Sequence, residues 1–153
     1  MTFTLTTKET DLLKDMKEQE QLCIDKYDKY AQDACAPELK SLFTQLADVE
    51  RTHLNTVNEM LSGKVSTPSG SSSSSGGASA GKANYSSEQD KKKDTFLCSD
   101  MLSTEKHVSA LYNTGVFEFS DVQARNMLNH IQTEEQQHGQ KIYEYMKANG
   151  MYQ

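Results

Sequence analysis

Apolar residues recur three and four positions apart along most of the chain, the spacing of one buried face on an α-helix. Leu13, Met16, Cys23, Ile24 and Tyr27 form the first such stripe, and Thr6-Thr7-Lys8-Glu9 ahead of it has the form of a capping box. Cys35-Ala36-Pro37 interrupts the pattern, with Pro37 suited to the first turn of a new helix. Leu39, Leu42, Phe43, Leu46, Val49, Leu54, Val57 and Leu61 mark the second helix, and Gly63 ends it. Ser86-Ser87-Glu88-Gln89 opens a third helix, and Gly115 with the residues up to Ser120 predicts a turn. Ser120-Asp121-Val122-Gln123 caps a fourth helix that runs to Asn149-Gly150.

Between the second and third helices the chain turns to glycine and serine, a composition that cannot bury enough apolar surface to order itself. The expected organisation is one domain over 1–153: a helical hairpin at 6–62, a flexible linker at 63–86 and a second hairpin at 87–149. A tight turn could not return the chain along the bundle, whereas a linker of this length can.

Composition agrees with amphipathic helices: 35 % of residues are hydrophobic and 25 % charged, with two prolines and no tryptophan. The net charge of −6 provides no electrostatic footprint for nucleic acid or anionic lipid, and Lys91-Lys92-Lys93 reads as a solvated helix face. No signal-peptide pattern opens the chain, and no stretch approaches the ~20 apolar residues of a membrane helix. A soluble protein made in the cytoplasm is therefore expected, with neither nucleic acid nor membrane as partner. Cys23, Cys35 and Cys98 form no CxxC pair, so they read as buried or partly buried thiols rather than as a rubredoxin-type iron site or a disulfide framework.

The two halves repeat. A shift of 85 residues places Asp15-Met16 on Asp100-Met101, Glu20 on Glu105, Tyr27 on Tyr112, Glu50 on Glu135 and His53 on His138. Glu20 and Glu50 stand nearly equidistant from the turn at Ala36, as Glu105 and Glu135 do from the turn near Ser120, so each pair lies at one height of its hairpin. In Glu50-Arg51-Thr52-His53 and Glu135-Gln136-Gln137-His138 the histidine follows its glutamate by one turn, on the same face. Two hairpins packed about a pseudo-twofold axis bring all six side chains together. One Glu from each of two helices with Glu-x-x-His from each of the others is the ligand pattern of ferritin-like di-iron and di-manganese bundles.

All four acids interrupt apolar stripes, which sets them apart from ordinary surface charges. Buried near one another without a counter-charge they would be costly or protonated. The expected site is thus a pair of Fe or Mn ions held by Glu20, Glu50, His53, Glu105, Glu135 and His138, with Glu50 and Glu135 as bridges. Tyr27 and Tyr112 lie two turns beyond Glu20 and Glu105, where each either supports a ligand carboxylate or fills the core. His107 and His130 read as surface or hydrogen-bonding histidines, and Glu134 is expected in solvent.

Three stretches stand out: Lys26-Tyr27-Asp28-Lys29-Tyr30-Ala31 in the first half, and Cys98 to Lys106 and His130 to His138 in the second. Through them the chain resembles the coat F family of spore coat proteins from endospore-forming bacteria. The resemblance spans Leu12 to Leu61 and Phe96 to Tyr152. It implies an all-α, ferritin-like four-helix bundle and a place in the spore coat. Synthesis would be in the mother-cell cytoplasm, with other coat proteins or further copies as partners. A more distant likeness is to rubrerythrins, which share the order Glu, ExxH, Glu, ExxH and reduce peroxide at a di-iron site. The chain departs from that pattern where Leu102 and Val108 replace an additional carboxylate. Two functions follow as expectations: a dinuclear centre that handles oxygen or peroxide, or a purely structural coat building block.

Overall fold

Four helices make up the bundle: α1 (Thr7–Asp33), α2 (Pro37–Leu61), α3 (Glu88–Glu118) and α4 (Val122–Ala148). The computed structural model describes residues 1–68 and 81–152, so the centre of the expected linker, 69–80, lies outside the described residues.

Local chemistry sets the helix ends. Thr6 Oγ1 accepts from the Glu9 backbone N–H and the Glu9 carboxylate accepts from that of Thr6, completing the capping box. Pro37 occupies the start of α2, while Ser87 and Asp121 cap α3 and α4 by accepting from the backbone N–H groups of Asp90 and Ala124. Gly63 stops α2 at φ +79°, a conformation that favours glycine. Gly115 differs from the sequence expectation. It lies inside α3, which continues to Glu118, and a Cβ there would come 2.6 Å from Met16 Cε and 3.1 Å from Leu128 Cδ1. Its glycine serves close helix packing, not a turn.

The hairpins α1–α2 and α3–α4 pack tightly within themselves and more lightly against each other. Lys8 pairs with Glu118 near one end of the bundle and Lys26 with Asp100 towards the other, so α1 and α3 run antiparallel. Both pairs are partly or largely exposed and contribute little to stability.

The apolar core is divided in two. Leu39, Phe43, Leu46, Leu97, Met101, Ile142 and Tyr145 fill the half near the α1–α2 turn. Leu13, Met16, Val57, Met60, Val108, Leu128 and Ile131 fill the half near the α3–α4 turn. Between them lies a polar layer.

The flanks of the expected linker are anchored. The backbone N–H groups of Phe3 and Val65 donate to the carbonyls of Gly63 and Met1. Ala83 N–H donates to Asn149 Oδ1, and Tyr85 Oη donates to Asp94 Oδ2 at 2.7 Å. Asp94 is fully buried and also accepts from the backbone N–H groups of Cys35 and Ala36 at 2.8 and 3.0 Å, which ties the first turn to α3. Cys23 and Cys98 are buried and Cys35 half-buried, all three as free thiols.

Candidate metal centre

Glu20, Glu50, His53, Glu105, Glu135 and His138, one residue or two from each helix, meet in the polar layer between the apolar halves. Their exposures are 0, 0, 2, 2, 0 and 3 %. Each hairpin supplies one lone glutamate and one ExxH pair, and the repeat makes their contacts reciprocal. His53 Nδ1 lies 2.8 Å from Glu135 Oε1, and His138 Nδ1 lies 2.8 Å from Glu50 Oε1. The two imidazole rings stack with centroids 5.9 Å apart.

Two sets of donors emerge, Glu20, Glu50, His53 and Glu135 in one and Glu50, Glu105, Glu135 and His138 in the other. Within each, one donor atom per residue lies within 4.8 Å of all the others. Glu50 and Glu135 belong to both.

Tyr27 and Tyr112 are wholly buried and use both abilities that the sequence left open. Each fills the core, and each donates across the bundle: Tyr27 Oη to Glu105 Oε1 at 2.5 Å, Tyr112 Oη to Glu20 Oε1 at 2.6 Å. Burial and the neighbouring glutamates push both phenols well above their usual range, so they remain proton donors.

The carboxylates are strongly polarised. Burial, followed by the neighbouring Glu50 carboxylate, pushes Glu20 well above the ordinary carboxylate range; burial and Glu105 do the same to Glu135. Glu50 goes the other way: although burial opposes it, the adjacent Glu20 carboxyl and the hydrogen bonds from His138 and His53 hold its carboxyl low. Burial alone would depress the histidines, yet the acidic groups around them lift His53 to about 10 and His138 to about 9.

Several polar atoms stay unsatisfied within this layer. Glu20 Oε2, Glu105 Oε2, both oxygens of Glu135 and His53 Nε2 are buried without a hydrogen-bond partner. The 2.8 Å approach of Glu135 Oε1 to His53 Nδ1 lacks the alignment of a hydrogen bond. Orphaned carboxylate oxygens inside a protein are costly. Divalent cations would satisfy them, and each set offers hard carboxylate oxygens with one imidazole nitrogen, a donor combination that divalent metal ions take. The donor chemistry fits a dinuclear centre.

Glu134 departs from the sequence expectation. It is half-buried: Oε1 lies 2.6 Å from His130 Nε2 and 3.7 Å from His53 Nε2. His130, four residues earlier, steers its long side chain back across α4 toward the outer edge of the His53 ring. The pairing of His130 with an acid four residues later was the available sequence signal. His107 is exposed.

Residues 93–153 match the Coat F domain family, and the matched segment runs from early in α3 to the end of the chain. The first hairpin, over which the resemblance was expected to extend, lies outside that match. Comparison with curated proteins and with solved structures gave no match. Among the described residues, no helix is long and apolar enough to cross a membrane.

Proposed function

We propose that the protein is a spore-coat component of ferritin-like fold in which Glu20, Glu50, His53, Glu105, Glu135 and His138 hold two Fe or Mn ions, and that it handles oxygen or peroxide there. The observation that carries this reading is the pair of buried donor sets sharing Glu50 and Glu135, with carboxylate oxygens left unpartnered among them. A bound Fe or Mn pair supplies Lewis-acid and redox chemistry toward a small oxygen ligand.

The protein's own groups have separable tasks. Glu50 and Glu135 reach both halves of the site; Glu20 with His53, and Glu105 with His138, each serve one half. Tyr112 and Tyr27 fix the rotamers of Glu20 and Glu105 by donating to one carboxylate oxygen and leaving the other free. The apolar halves above and below exclude water, which strengthens every electrostatic interaction within the layer.

The Coat F match to the second hairpin supports placement in the spore coat, with other coat proteins or further copies of the chain as partners. Exposed Phe96 and Phe117, at 67 and 81 %, favour a second reading in which the chain is a structural building block. Oxidant chemistry separates the two. Protein loaded anaerobically with ferrous ion and mixed with hydrogen peroxide is expected to show a rapid change in near-ultraviolet absorption that Glu105→Ala removes. A loaded protein whose spectrum ignores both peroxide and oxygen would leave only the structural role.

A further inference from the structure

The repeat also shows where the two hairpins differ. The shift that superimposes the six donors places Ile24 on Ser109 and Leu54 on Gly139. Both positions lie on the helix faces that flank the lone glutamate and the ExxH glutamate. The first hairpin therefore carries two large aliphatic side chains where the second carries a hydroxymethyl group and a hydrogen atom. A cavity of about 350 Å³ lies at that place on the second hairpin, lined by Leu102, Glu105, Lys106, Ser109, Glu135 and Gly139 among others.

Nothing in the backbone demands glycine at 139. Its φ is not positive, and an added Cβ would meet only Leu102 Cδ1, at the ordinary contact distance of 3.7 Å. A mid-helix glycine is destabilising relative to alanine. What glycine does leave here is space. Glu105 and Glu135 both line that space, and Glu105 Oε2 and the two Glu135 oxygens are buried and unpartnered. Ile24, the counterpart of Ser109, is itself buried at 5 % exposure.

We infer that this cavity between α3 and α4 is the binding pocket through which a small oxygen ligand, dioxygen or peroxide in size and chemistry, reaches the donor layer. The duplicated bundle is open on this face because Ser109 and Gly139 are small, and the matching face of the first hairpin carries Ile24 and Leu54 instead. The pocket's lining suits a small ligand: Leu102 and Gly139 provide an apolar wall, Ser109 a hydroxyl, and the exposed Lys106 a cation at the rim. This inference rests on the metal reading above.

The test loads the full chain with cobalt(II), whose visible absorption reports its ligands, and titrates azide as a stand-in for the oxygen ligand. The unaltered protein is expected to bind azide saturably. Gly139→Leu, and more so Ser109→Ile with Gly139→Leu, should weaken azide by on the order of ten-fold or more, as filling a fitted pocket does, while cobalt stoichiometry stays unchanged. Leu54→Ala, on the opposite hairpin, should leave azide affinity in place. Unchanged azide binding in the filled variants overturns the inference, as does a cobalt-loaded native protein that ignores azide; both leave the metal reading standing. A folded native protein that takes up no cobalt overturns the two together. Filled variants that keep their helix content but lose cobalt also count against it, since the cavity would then serve metal retention.

Discussion

Loading the metal-free protein anaerobically with ferrous or manganous ion is expected to raise its thermal midpoint by on the order of 10 °C or more. A ligand at a hundred times its dissociation constant stabilises the folded state by ~2.7 kcal/mol per site, so two sites give about 5 kcal/mol. In a domain of this size each kcal/mol shifts the midpoint by roughly 2–4 °C. The gain should grow as pH rises. His53 and His138 are lifted from 6.5 to about 10 and about 9, so in the metal-free fold at neutral pH each ring carries a proton on both Nδ1 and Nε2. Groups raised in this way stabilise the metal-free fold fully below the unfolded histidine value of 6.5, and that contribution disappears as pH climbs through the folded values. Metal binding must displace the same protons, together with those on Glu20 and Glu135. Between pH 6.5 and 9 the metal-free midpoint should therefore fall while metal affinity increases. Differential scanning fluorimetry across that range checks the first trend. Calorimetric titration in buffers of unlike ionisation enthalpy counts the protons released.

Asp94→Ala is expected to destabilise the bundle by about 3 kcal/mol, lowering the midpoint by roughly 6–12 °C. The Asp94 carboxylate is completely buried and accepts from two backbone N–H groups in the first turn and from the Tyr85 hydroxyl. Removing it leaves those donors without an acceptor, where each costs far more than a hydrogen bond gains. Tyr85 can retain Tyr145, whose hydroxyl lies 2.6 Å away, so most of the loss falls on Cys35 and Ala36. Asp94→Asn, which keeps one acceptor oxygen, should recover part of the loss. Urea unfolding followed by circular dichroism measures both. Metal stoichiometry should survive in either variant at low temperature, because Asp94 touches none of the six donors.

The helix starts and the meeting of six acidic and imidazole residues in one layer were legible because each rests on local spacing. A capping box, a proline at a first turn and a glutamate breaking an apolar stripe are all written within a few residues. The repeat then converted four separate acids into one site. Four features escaped because they depend on what another helix brings alongside. Gly115 reads as a helix stop, but α3 continues through it and a Cβ there would press on Met16 Cε and Leu128 Cδ1. Glu134 is turned away from Glu135 by one residue, yet His130 pulls it back over the edge of His53. Asp94 bonds backbone groups 58 and 59 residues away, for which sequence carries no signal. Similarly, Ala83 and Tyr85 sit in a stretch of linker composition but are held by Asn149 and Asp94.

The most direct measurement is elemental analysis of the purified protein after anaerobic loading with ferrous or manganous ion and removal of free metal. It should be run beside Glu50→Ala/Glu135→Ala, which deletes the two residues common to both donor sets. About two metals per chain in the native protein and none in the folded double variant is the expected result. A native protein without metal, or a double variant that binds as much as the native one, would contradict the dinuclear centre and leave the six residues as a buried polar layer.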